Sequence, residues 1–226
     1  MENRITIKSA DDIDLPVYVY EPNGIRSGSL VLIQEIFGVN DHIKSVAKRF
    51  SDEGYIVWVP ELYHRLGDNI QLGYEGNTVE EATKLKAQCG WELPVMDIMS
   101  CVGSLKISHS VSLIGFCYGG SLAWKSACVG YGLNCSISFY GSQITDFLNL
   151  NTRCPTLVHL GEKDMSINEE SQKEIIDYSK SSTQPVKVYK YKNADHGFFC
   201  NERESYHKKS AELAFNRSIN FLKKFQ

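Results

Sequence analysis

The chain has 226 residues, 42% of them hydrophobic, with 24 Lys and Arg against 27 Asp and Glu and a formal net charge of -3. That length suffices to bury one substantial core, so one domain over residues 1–226 is expected, and the near balance of charge leaves no footprint for nucleic acid. No run reaches the roughly 18 apolar residues of a membrane span, the first residues lack a signal peptide's apolar run, and the seven cysteines contain no Cys-x-x-Cys pair, so a cytoplasmic monomer with reduced thiols and a small-molecule partner is expected.

Leu15 to Glu21 and Leu30 to Gln34 read as short β-rich strands. Asp41 is placed to cap a helix whose apolar residues Ile43, Val46, Ala47 and Phe50 recur at helical spacing, with Gly54 positioned to end it. Tyr55 to Val59 returns as a buried strand. From Pro60 to Gly76 the composition of Gly, Asn, Tyr and charge predicts a surface excursion, followed by helical segments near Val79 to Gln88 and Val95 to Leu105. Four further strands are expected at Val111 to Ile114, Ser136 to Tyr140, Thr156 to Leu160 and Val186 to Tyr189. Ala211, Phe215, Ile219 and Leu222 form the apolar stripe of a last helix that docks on the sheet. This alternation predicts an α/β fold with a mostly parallel central sheet, helices on both faces and no large lid domain.

The chemistry centres on Gly115-Phe116-Cys117-Tyr118-Gly119-Gly120. Small residues on either side of a nucleophile, between an apolar strand and a helix, are what a sharp nucleophile elbow requires, and no Gly-x-Ser-x-Gly competes with it. The dipole of the helix that follows favours a thiolate at Cys117. A thiol needs an imidazole to manage protons and a carboxylate to orient that imidazole. Asp164, after the strand ending near Leu160, and His196, after the strand near Tyr189, appear in the order nucleophile, acid, histidine. Asp195, adjacent to the histidine, and Glu162 are the weaker candidates for the acid. Gln34-Glu35-Ile36-Phe37-Gly38 follows an early strand where one oxyanion N–H is donated, so the Ile36 and Tyr118 amides are the expected pair. Glu35 then ends a hydrophobic strand, aimed at the nucleophile. The histidines His42, His64, His109, His159 and His207 show no clustered metal-ligand spacing and no phosphate-binding loop is present, so neither metal nor cofactor is expected.

Taken together, Gln34-Glu35-Ile36-Phe37-Gly38, Pro60-Glu61-Leu62-Tyr63, the Gly115 to Gly120 turn, Gly161-x-x-Asp164 and Ala194-Asp195-His196-Gly197-Phe198 resemble the dienelactone hydrolase family, over nearly the whole chain. The resemblance implies an α/β-hydrolase fold and a carboxymethylenebutenolidase-like carboxylic ester or lactone hydrolase without a cofactor. It also implies a triad of Cys117, Asp164 and His196, with Glu35 interacting with the thiol and helping to form the thiolate. The implied substrate is a cyclic enol ester: thiolate attack opens the ring to an enolate, and water, with His196 as general base, releases the acid from a thioester. The chain departs from the family pattern where arginines bind the substrate carboxylate. Cys200 stands four residues after His196, and the segment Thr78 to Lys86 holds Lys84 and Lys86 but no arginine. Arg65, Lys84, Lys86 and Arg203 are the available replacements, and Phe37, Tyr63, Tyr118 and Phe198 are candidate aromatic lining. The substrate-binding set carried forward is Phe37, Tyr63, Arg65, Lys84 and Phe198. The alternative reading is a non-catalytic small-molecule-binding or thiol-sensing protein on the same fold.

Overall fold

A computed structural model describes residues 2–106 and 110–225; Met1, Ile107, Ser108, His109 and Gln226 lie outside the described residues, and with them the expectation for His109 and the ends of the expected domain. In chain order the elements are β1 (Glu2–Lys8), β2 (Asp14–Tyr20), β3 (Gly28–Ile33), α1 (Asp41–Asp52), β4 (Tyr55–Pro60), α2 (Thr78–Cys89), α3 (Glu92–Lys106), β5 (Val111–Phe116), α4 (Tyr118–Val129), β6 (Ser136–Phe139), β7 (Thr156–Gly161), α5 (Glu169–Ser181), β8 (Val186–Tyr191) and α6 (Lys208–Phe225). The strands form one sheet in the order β1-β2-β4-β3-β5-β6-β7-β8. β1 and β2 run antiparallel to their neighbours and the pairings from β4 to β8 are parallel. This is the α/β-hydrolase architecture expected from the sequence.

Strand parity divides the apolar side chains between two cores, because successive Cβ atoms leave opposite faces of a sheet. Leu30, Leu32, Val57, Ile114 and Phe116 join one core with Ile43 and Phe50 of α1 and Phe215 and Leu222 of α6. Val31, Ile33, Ile56 and Leu113 join the other with Ile98, Val102 and Leu105 of α3. Continuous apolar runs such as that of β3 are therefore what a sheet covered on both faces requires.

Local differences from the sequence reading have local causes. Asn40, not Asp41, caps α1: its side chain accepts a hydrogen bond from the Ile43 amide, and Asp41 sits in the first turn. The segment from Pro60 to Gly76 is less superficial than its polarity suggested. Leu62 and Tyr63 are buried, Glu61 pairs with Arg4 at 2.6 Å, and Gln71 bridges Gly38. β1 and α5 carry only weak sequence signals. Ile5 and Ile7 alternate with polar residues in β1, and Gln172 and Ile175 mark the single buried edge of a mostly polar α5. Among the described residues no helix is long and apolar enough to cross a membrane.

Candidate active site

The turn after β5 is tight enough to dictate its own composition. Cys117 has φ 54° and ψ -116°, a sparsely populated conformation for a residue with a side chain. A Cβ on Gly115 would lie 1.9 Å from the Gly119 carbonyl oxygen, and one on Gly119 would lie 2.4 Å from the Gln34 carbonyl oxygen and 2.5 Å from that of Ile33. Backbone packing thus fixes both glycines, Gly115 against the first turn of α4 and Gly119 against the end of β3. Cys117 precedes the first residue of α4, where backbone N–H groups have no partner within the helix.

Asp164 follows β7 and His196 follows β8, so both arrive at the C-terminal edge of the sheet beside Cys117. His196 Nδ1 lies 2.9 Å from Asp164 Oδ2 and its Nε2 lies 3.1 Å from Cys117 Sγ. The second Asp164 oxygen, Oδ1, accepts from the Ser166 and Ile167 amides at 2.8 and 3.2 Å, which holds the carboxylate in place. The weaker acid candidates are engaged elsewhere: Asp195 accepts from the backbone amide of His196, and Glu162 accepts from the amide of Asn193. Burial disfavours charge on the His196 ring, but the neighbouring Cys117 and Asp164 outweigh it and raise its pKa to about 10.

The segment after β3 forms the other wall. Tyr63, expected to line the pocket, is instead buried with its hydroxyl donating to the Ile36 carbonyl at 3.0 Å, so it anchors this loop from behind. Glu35 is completely buried; its Oε2 accepts from Tyr74 at 2.9 Å, and its Oε1 faces Arg203 Nη1 at 3.9 Å. The expected pairing of Glu35 with the thiol is not the one adopted here: the thiol bonds to His196 and the carboxylate to Tyr74. Burial, then the Glu35 charge, holds the Tyr74 hydroxyl well above the ordinary phenol range, so it stays a donor. Tyr74 comes from the Pro60 to Gly76 excursion and no motif marked it.

A cavity of about 220 Å3 opens on Cys117, lined among others by Ile36, Phe37, Lys86, His196 and Arg203. Of the five substrate-binding candidates only Phe37 lies there. Arg65 is tied to Asp11 and buried Asp97, both at 2.8 Å, and Lys84 pairs with Glu80 at 2.7 Å on the exposed side of α2. Phe198 is core, packed against Tyr140 and Tyr191. Lys86 and Arg203 supply the cations at the pocket instead. Val79, Thr83 and Lys86 are spaced i, i+4, i+7 and share the pocket face of α2, whereas Lys84 points elsewhere, a distinction present in the helical period. Burial lowers the Lys86 pKa, opposed by Cys117 and Asp146.

The Dienelactone hydrolase family matches this chain over residues 15–226. The chain belongs to the dienelactone hydrolase family. A carboxymethylenebutenolidase from Pseudomonas putida is 28% identical to this family member over 229 residues, covering 98% of this chain and 96% of the other. A Synechocystis sp. protein, provisionally named a carboxymethylenebutenolidase, is 29% identical over 223 residues, covering 91% and 90% of the two chains. A crystal structure from Klebsiella pneumoniae, provisionally named a dienelactone hydrolase, superposes with a TM-score of 0.84 at 24% identity over 98% of each chain. In class, this dienelactone hydrolase family member is an ester or lactone hydrolase.

Proposed function

We propose that this protein hydrolyses a small, activated, anionic ester or lactone through a thioester on Cys117. The observation that carries the reading is the unbroken chain Asp164–His196–Cys117, with contacts of 2.9 and 3.1 Å. In the first half-reaction His196 takes the thiol proton and Sγ attacks the carbonyl carbon. The oxyanion accepts hydrogen bonds from the Ile36 and Tyr118 amides, and collapse expels the alkoxide or enolate, which takes the proton from His196. In the second, His196 deprotonates a water that attacks the thioester and returns the proton to the departing Cys117 sulfur. Asp164 holds the ring throughout, and the raised His196 pKa makes an imidazolium counter-ion available to the thiolate at neutral pH. Glu35, pinned by Tyr74, places a fixed negative charge behind the nucleophile and modulates the thiol through the field rather than by direct contact.

Substrate size and charge follow from the walls. The cavity of about 220 Å3 falls below the roughly 300–1,000 Å3 of drug-sized sites, which favours a compact acid. Lys86 and Arg203 line that cavity and offer positive charge to a carboxylate, and the Pseudomonas putida relative carries the name of an enzyme for a butenolide bearing a carboxymethylene group.

Brief mixing with p-nitrophenyl acetate followed by acid quench should give an acetyl adduct confined to the Cys117 peptide by mass spectrometry; turnover with the adduct on another residue, or on none, would overturn the thioester scheme. For charge recognition, Lys86→Ala should raise KM for a carboxylate-bearing ester roughly tenfold, the size of one lost charge-assisted contact. The same substitution should leave a neutral ester of equal size nearly unaffected, and Lys84→Ala should change neither. Equal KM effects on charged and neutral esters would remove Lys86 from substrate recognition.

A further inference from the structure

Behind the Cys117 turn lies a group of buried polar atoms of which the hydrolytic scheme uses only the Glu35 charge. The ring nitrogens of His42, the thiol of Cys200 and the carboxylate of Glu35 offer ligand atoms that all lie within 4.8 Å of one another. All three residues are 0–1% exposed. Neither nitrogen of His42 completes a hydrogen bond of good geometry, though the Asn201 side chain stands near enough to act on the ring, and Glu35 Oε1 has none, Arg203 standing beyond hydrogen-bonding distance at 3.9 Å. The Tyr140 hydroxyl, a fourth buried atom without a partner, is close enough to Glu35 and Cys200 for their charges to act on it. Buried polar groups left unpaired cost free energy, and several converging on one point call for an occupant that satisfies them together.

We infer that Glu35, His42 and Cys200 form a binding site for a single thiophilic divalent cation of the Zn2+ type. Thiolate, imidazole and carboxylate are the donors Zn2+ takes, at about 2.0–2.3 Å, and the three ligand atoms already lie within 4.8 Å of one another. Burial lowers the pKa of His42, so the ring is a neutral ligand at physiological pH. Burial, reinforced by Glu35, pushes the Cys200 thiol up to about 12, so binding displaces its proton to solvent. The charges then balance: one divalent cation faces one thiolate and one carboxylate. A cavity of about 100 Å3 lined by His42, Ser45, Arg49, Asn201 and Tyr206 reaches one of the ligands and offers a route of entry. The site is invisible to spacing rules because its ligands come from the β3–α1 loop, the first turn of α1 and the segment after β8.

Cobalt(II) tests the inference, because thiolate ligation gives it an ultraviolet charge-transfer band. The titration uses the Cys117→Ala protein, since the Cys117–His196 pair could itself capture a soft metal, and so its outcome is independent of the hydrolytic reading. One equivalent of cobalt should bind with a charge-transfer band, release about one proton at pH 7 and be displaced by Zn2+. Cys117→Ala/Cys200→Ser should lose the band. Cys117→Ala/His42→Asn should keep it with affinity lowered at least about tenfold, which preserves the test if the Cys200 variant fails to fold. Absence of binding to Cys117→Ala, persistence of the band without Cys200, or unchanged affinity without His42 would overturn the site and leave ordered water as the partner of these groups.

Discussion

Replacing Cys117 by alanine is expected to lower kcat/KM for a short-chain p-nitrophenyl ester by on the order of 10^4-fold or more, as removal of a covalent nucleophile does where the residual rate comes only from binding and the oxyanion donors. The variant should fold. The φ of 54° that strains Cys117 strains alanine equally, the side chain is small, and Gly115 and Gly119 still permit the close approach of α4 to β3. A Cys117→Ala protein with turnover within tenfold of the original would show that the thiol is not the nucleophile. Should the unaltered protein itself lack turnover yet oxidise stoichiometrically at Cys117 with peroxide, the thiol-sensing alternative would take its place.

The second large effect is expected at Asp164. Asparagine is nearly isosteric, and its carbonyl oxygen can still accept from the Ser166 and Ile167 amides at the position now held by Oδ1. What changes is the atom facing His196 Nδ1, from an acceptor to an amide donor. The imidazole must then accept at Nδ1 and carry its proton on Nε2, pointing N–H at Sγ, so it can no longer take the thiol proton. A loss in kcat of roughly 10^3 to 10^4-fold is expected, the scale seen when a triad histidine is held in the wrong tautomer. Unchanged thermal stability should accompany it, which separates the tautomer effect from collapse of the loop. A loss below tenfold would mean that another group orients the ring; Asp195 and Glu162 would be the next to substitute.

How far the sequence reached depended on how local each cause was. The elbow was legible because its motif spans six residues and its reason is steric: a side chain on Gly115 meets the turn's own backbone at 1.9 Å, and one on Gly119 meets the end of β3 at 2.4 Å. The order of Cys117, Asp164 and His196 was legible because strands of a parallel sheet deliver their following residues to one edge. The pocket cations were harder. Lys84 and Lys86 are two residues apart, and only the helical phase set by Val79 and Thr83 assigns Lys86 to the Cys117 side. Arg65 looked free in the sequence because its partners, Asp11 and Asp97, are distant in the chain and converge only in the fold. Tyr74 illustrates the same limit. A tyrosine in a polar excursion carries no sign that it will bond a buried carboxylate contributed 39 residues earlier.

The strand order also sets when reactivity can arise. Cys117 and its hydrogen-bonding histidine are 79 residues apart, and β7 and β8 must add to the growing edge of the sheet before that histidine has anywhere to stand. A ribosome-bound chain that has emerged only through α4 carries the turn without its base. Synthesis runs from the N-terminus, so the thiol acquires its proton acceptor among the last events of folding. On the proposed mechanism, the nascent protein exposes no competent acyl acceptor to the esters around it until β8 has paired.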